Sequence, residues 1–131
     1  MKGVSVLLLI FFLGTCSVDD PSKGPCPVEI EEIKWERLAI YNQMLVIMEN
    51  TCAYDVERVS LVITYEVLYN SADGDDWIKT AGEFSYEDGI PPGKKVTADW
   101  VLTFTNEMKI IEEESYIEEI IFTNGASWQR T

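Results

Sequence analysis

The chain has 131 residues, with 23 Asp and Glu against 10 Lys and Arg and no histidine, for a formal charge of −13. Such a balance repels nucleic acid and anionic lipid surfaces, which excludes the polyanion-binding classes. Without histidine, a serine or cysteine nucleophile has no imidazole base, and a zinc site would lack its commonest nitrogen ligand.

The N-terminus reads as an export signal. Lys2 precedes an apolar run over residues 4–13. That run is about half of the ~20 residues that a membrane-spanning helix needs, so a cleavable secretory signal is expected. It ends in Leu13-Gly14-Thr15-Cys16, which resembles the lipobox of bacterial lipoproteins, with Thr15 where that family favours a smaller residue. The resemblance implies that Cys16 becomes the lipidated first residue of the mature chain and holds it to the cell envelope. Ordinary cleavage near Ser17, giving a soluble secreted protein, is the alternative. Residues 17–27 carry three prolines and a glycine and read as a tether. Residues 28–131 have the length of one small domain. With Cys16 lipidated, Cys26 and Cys52 remain, and an exported chain permits a disulfide between them. Such a loop closure stabilises by roughly 3 kcal/mol. Two free thiols are the other reading.

From Val28 onward the hydrophobic period is mostly two, which predicts strands. Ile33 and Trp35 alternate with charge over 30–40, and Met44, Val46 and Met48 share one face of 43–49. The clearest strand is 56–69, where Val59, Leu61, Ile63, Tyr65, Val67 and Tyr69 point one way. Residues 77–86 hold Gly82 and predict an edge strand or a bulge. Pro92 and Gly93 suit the centre of a type II turn. After it, Val96, Ala98, Trp100, Leu102 and Phe104 alternate over 96–105 and place Trp100 in the core. Residues 107–113 predict a short helical turn, and 116–123 a strand closed by an Asn124-Gly125 two-residue hairpin. Six or seven short strands with turns between them predict an all-β fold, a small antiparallel β-sandwich.

Several of these motifs occur together. Asn50-Thr51 precedes the long strand, which ends Glu66-Val67-Leu68-Tyr69-Asn70 before Asp73-Gly74. The Ile90-Pro91-Pro92-Gly93 turn and the closing Ile120-Ile121-Phe122-Thr123-Asn124-Gly125 come after it. Over residues 43–128 this order resembles the FxLYD-type, immunoglobulin-like domains of bacterial lipoproteins. Leu68 and Tyr69 match the signature, and Glu66 and Asn70 take the places of its Phe and Asp. The resemblance implies an immunoglobulin-like sandwich without known catalytic residues.

Three constellations are candidate sites. Asn70, Asp73, Asp75 and Asp76 crowd oxygen ligands around a tight turn, as a hard cation such as Ca²⁺ requires, though without EF-hand spacing. Trp77 and Trp128 come after turns, where an exposed ring could stack on a sugar. Paired carboxylates such as Glu31-Glu32 and Glu118-Glu119 point to opposite faces of a strand and read as solvated surface, not as an acid/base pair. No cofactor is expected and the chain is not read as an enzyme. The expectation is a non-catalytic, membrane-anchored envelope lipoprotein acting by protein–protein contact with an envelope or extracellular protein. The alternative is a secreted module binding a small ligand, carbohydrate or cation.

Overall fold

The computed structural model describes residues 20–131; the expected export signal, the expected lipid site Cys16 and residues 17–19 lie outside the described residues. Seven strands run in order: β1 (Val28–Arg37), β2 (Asn42–Asn50), β3 (Val56–Ser71), β4 (Gly74–Tyr86), β5 (Lys95–Leu102), β6 (Met108–Phe122) and β7 (Ser127–Gln129). They form two antiparallel sheets, ordered β1-β2-β5 and β4-β3-β6-β7. This is the expected all-β sandwich. Its strand order is immunoglobulin-like, with β4 on the edge of the second sheet.

The core forms where the two alternating stripes meet. Met44, Val46 and Met48 of β2 are fully buried while Leu45 and Ile47 are only half-buried on the other face. Val59, Leu61, Ile63 and Val67 of β3 oppose them from the second sheet. Trp100 is half-buried, not fully inside. It tilts against Phe84 at 5.3 Å between ring centroids, and its indole N–H donates to the Ser85 carbonyl at 3.2 Å. It thus closes the flank between β5 and β4. The other flank is closed by Glu112 of β6, which accepts the Ile33 N–H of β1 at 3.0 Å.

One turn forms as expected and another differs. Gly93 has φ +71° and the Lys94 N–H donates to the Pro91 carbonyl at 3.1 Å, as in a type II turn. The Asn124-Gly125 turn exists, but Phe122 N–H bonds the Ala126 carbonyl, so the loop has three residues, 123–125, with Gly125 at φ +91°. The expected helical turn over 107–113 is absent, because β6 runs unbroken as strand from Met108 to Phe122. Its glutamates 112–114 sit in an arch. Pairing with β3 jumps from Thr64–Ile111 to Val62–Tyr116. Within the arch, the Thr64 N–H donates to Ser115 Oγ and the Thr64 hydroxyl to the Glu114 carbonyl, each at 3.0 Å. The arch therefore satisfies the backbone it interrupts.

The segment expected as a tether is folded against the domain over residues 20–27. Pro21 and Pro27 are buried, the Trp128 indole donates to the Gly24 carbonyl at 3.1 Å, and the Thr51 N–H donates to the Pro27 carbonyl at 3.0 Å. The Cys26–Cys52 disulfide does not form, and Cys26 is a free thiol. Strand pairing between β1 and β2 ends at Val28–Asn50, and the turn at Cys26 aims its Sγ–H at the Val28 carbonyl, 3.2 Å away.

Burial above all pushes the Cys26 thiol up to about 11, opposed by the Val28 backbone and reinforced by Glu29. A raised thiol favours the folded state while the thiol is protonated. That contribution is whole below pH 9, where the unfolded chain also keeps its proton, and is lost as pH rises through 11. The expected loss is about 2 kcal/mol. Urea unfolding at pH 8 and pH 11 measures it, with Cys26→Ala as reference. A variant that loses as much stability as the parent overturns the assignment.

Candidate functional site: an overhanging hairpin at the far end

The sandwich has two unlike ends. The near end is where the chain enters at Val28. There Val56 and Ile90 exchange backbone hydrogen bonds, Gly93 N–H donates to the Asn50 carbonyl, and Thr123 N–H donates to the Asp55 carbonyl. The far end holds the β1–β2 turn (38–41), the β3–β4 turn (72–73) and the β5–β6 loop (103–107). It is laced by side chains. Asn42 Nδ2 donates to the Asn106 carbonyl at 2.8 Å, Asn106 Nδ2 to the Leu68 carbonyl at 2.9 Å, and Arg37 Nε to the Thr105 carbonyl at 2.8 Å.

Strand lengths create an overhang here. β3 has 16 residues and β4 has 13, while β2 and β5 have 9 and 8. Val67 is still paired with Met108 and buried, and the Leu68 N–H still reaches the Glu107 carbonyl, but from Tyr69 on β3 pairs only with β4, up to Ser71–Gly74. The inward stripe of β3 thus outruns the sheet that should cover it. Tyr69 is 50% exposed, and Ile78, opposite Val67 on β4, is 47% exposed. Two more large apolar side chains are open at this end, Ile40 at 76% in the β1–β2 turn and Val101 at 56% near the end of β5. All four exposed large hydrophobics of the described residues lie at the far end, and none at the near end. Phe104 stacks on Tyr65 at 6.3 Å between ring centroids, just inside them.

The oxygen-rich cluster sits on the tip of the same hairpin. Asn70 pairs with Asp75, Tyr69 pairs with Asp76, and Asp73 is in the two-residue turn. Asp75 and Asp76 are neighbours on one strand and point to opposite faces, so the four side chains are not gathered round one point. Among the described residues no three Cys, Asp or Glu side chains could hold a metal ion together. The tip is instead an acidic rim beside exposed apolar side chains.

The tryptophans are engaged elsewhere. Trp128, expected as a stacking surface, is 8% exposed and belongs to the core; the Gly24 carbonyl that takes its N–H lies 104 residues away in the chain. Trp77 lies on the outer face of the four-stranded sheet, where the Lys109 ammonium sits 4.0 Å from its ring centroid. Arg130 covers Tyr116 in the same way at 3.9 Å. A shallow depression of about 510 Å³ lies on this face, lined by Ser60, Glu83, Ser85, Glu119, Gln129 and Arg130 among others. Its Glu119 is already held by Arg58 at 3.4 Å and Gln129 at 3.0 Å.

The apolar far end escapes a reading of the sequence because Tyr69 and Ile78 carry the same alternation as core residues. The readable signal is the unequal strand lengths. Comparison with protein-family models, with curated proteins and with solved structures finds no match for this chain.

Proposed function

We propose that the protein is a non-catalytic, envelope-anchored binding domain, acting by contact between its far end and another envelope or extracellular protein. The observation that carries this reading is the collection of Ile40, Tyr69, Ile78 and Val101 at the end opposite the entry of the chain at Val28. A domain anchored ahead of Val28 presents that end outward. Exposed apolar groups beside polar residues mark an interaction surface. The acidic rim of Asp73, Asp75 and Asp76 favours a partner with a basic border around an apolar centre. The signal-like N-terminus and the lipobox-like Cys16 support export and a lipid anchor.

The test is a photo-crosslinking residue at Ile40, in cells of the source organism, with the same residue at Thr97 as reference. Thr97 is exposed on the face of the three-stranded sheet. One protein species captured from position 40 and not from 97 is the expected result. Equal or absent capture from both overturns it. The intact mass of the same purified chain reports the anchor. A diacylglyceryl or triacylglyceryl adduct starting at Cys16 is expected, whereas a soluble chain starting near Ser17 rejects it.

A further inference from the structure

We infer that the free edge of β4 is a self-association site, through which a second copy of this chain adds its own β4 antiparallel about a two-fold axis at Ala81. This goes beyond the contact proposed for the far end, since Ile40, Tyr69 and Val101 stay uncovered by it. A strand edge with unpaired N–H and C=O groups is a template for another strand, and soluble proteins blunt such edges with bulges, caps or short strands. The other edges of this molecule show those devices. β1 is interrupted between Ile30 and Glu32, and its Ile33 N–H is capped by Glu112. β5 is short, at eight residues, and β7 has only three. β4 carries only lighter ones, the Trp100 indole on its Ser85 carbonyl and the charges of Asp76 and Lys79, and its middle stays open. It pairs with β3 from Val59–Tyr86 to Ser71–Gly74 in thirteen consecutive steps without a register shift, and contains no proline.

The direction of its backbone is fixed by two observations. Ser71 and Gly74 face each other across a two-residue turn, so the even residues of β4 bond to β3. The Ser85 carbonyl reaches the Trp100 indole instead, so the odd residues turn to the open edge. Trp77, Lys79, Ala81 and Glu83 are then the groups that an added strand meets.

The side chains select one register. In a two-fold pair centred on Lys79 or Glu83, that residue would face its own copy and place like charges opposite each other. Centred on Thr80, Asp76 would oppose Phe84 of the second copy; centred on Gly82, Lys79 would oppose Ser85. Centred on Ala81, Lys79 opposes Glu83 twice, and Ile78 opposes Phe84 twice on the inner face. Opposite charges and paired apolar groups are the favourable cross-strand combinations. Lys79 already holds Glu114 of β6 at 3.0 Å, and the second copy's carboxylate would approach the same ammonium from its open side. That register also covers Ile78, which the monomer leaves 47% exposed. The net charge of −13 opposes association, so the contact is concentration-dependent and needs enough salt to screen the repulsion.

The core is complete between Val28 and Trp128, so residues 20–131 are the chain to use. Sedimentation in physiological salt over a concentration series reads the mass. The parent is expected to reach twice the single-chain mass. Glu83→Lys and Lys79→Glu, each alone, are expected to remain single chains or to associate at least tenfold more weakly. An equimolar mixture of the two recovers the doubled mass, because each variant then supplies the charge that the other lacks. Ala81→Pro removes only an edge N–H and is expected to give a single chain with an unchanged circular dichroism spectrum. A parent that stays single at every concentration overturns the inference, as does Glu83→Lys that pairs as tightly as the parent.

Discussion

Replacing Asn50 by alanine is expected to cost about 3–5 kcal/mol and to lower the melting temperature by roughly 15 °C or more. Asn50 ends β2 and is completely buried. Its Nδ2 donates to the Tyr54 carbonyl at 2.8 Å and to the Ile90 carbonyl at 2.9 Å, and its Oδ1 accepts the Cys52 N–H at 2.9 Å. One amide thus ties the end of the three-stranded sheet, the crossover at residues 51–55 and the loop before β5. Alanine removes the bonds that Asn50 gives the Cys52 N–H and the Tyr54 carbonyl and leaves the Ile90 carbonyl only its Val56 N–H, and losing three hydrogen bonds at one buried point is what makes the change severe. Asn50→Asp is expected to be as damaging although its shape is the same. It keeps the acceptor for Cys52 but turns an oxygen toward each of two carbonyls. Urea and thermal unfolding of both variants measure the effect. If Asn50→Asp proves close to the parent, the two donated bonds are not what hold this end.

Phe122→Ala is expected to cost about 3–5 kcal/mol, and Phe122→Leu only about 1. Phe122 is among the largest fully buried side chains and ends β6. Its ring meets Tyr54 edge-on at 6.3 Å between centroids, and its N–H donates to the Ala126 carbonyl. Alanine leaves a void at the point where the last hairpin folds back on the crossover. Tyr54 joins this contact to Asn50, whose amide holds the Tyr54 carbonyl. The two alanine substitutions should therefore be less than additive, since each loosens the same segment. A double-mutant cycle read by denaturant unfolding tests this, and a strictly additive pair would separate the two contacts.

The near end shows where sequence reading stops. β2, β3 and β5 were legible because one face of each packs on a core and the other meets water, so residue type alternates with position. The type II turn was legible because Pro92 and Gly93 fix its dihedrals locally. Asn50 looked like any turn residue; its role depends on Ile90, forty positions away. Trp128 looked exposed because it comes after a turn, but β7 pairs it with buried Ile120 on the inner face, and residue 24 returns to take its N–H. The glutamates at 112–114 favour helix by local preference, yet Thr64 and Ser115 hold them in an arch of a strand. The pairing expected of Cys26 and Cys52 rested on counting cysteines, whereas the direction of one thiol depends on a turn that counting does not see. The far-end site was illegible for a related reason. Alternation marks which way a side chain points, but not whether another sheet is long enough to lie over it.

The docking of residues 20–27 has a consequence for the height at which the domain rides. Under the proposed anchor at Cys16, four residue steps join Cys16 to Asp20, a span of at most ~14 Å. β3 alone, at 16 residues, measures about 53 Å from end to end. The standoff of the hairpin tip from the bilayer is then set by the stiff body and hardly by the leash. Such a protein samples a thin shell above its membrane, and lengthening the segment before Asp20 would change where it can touch its neighbours without altering the surface that touches them.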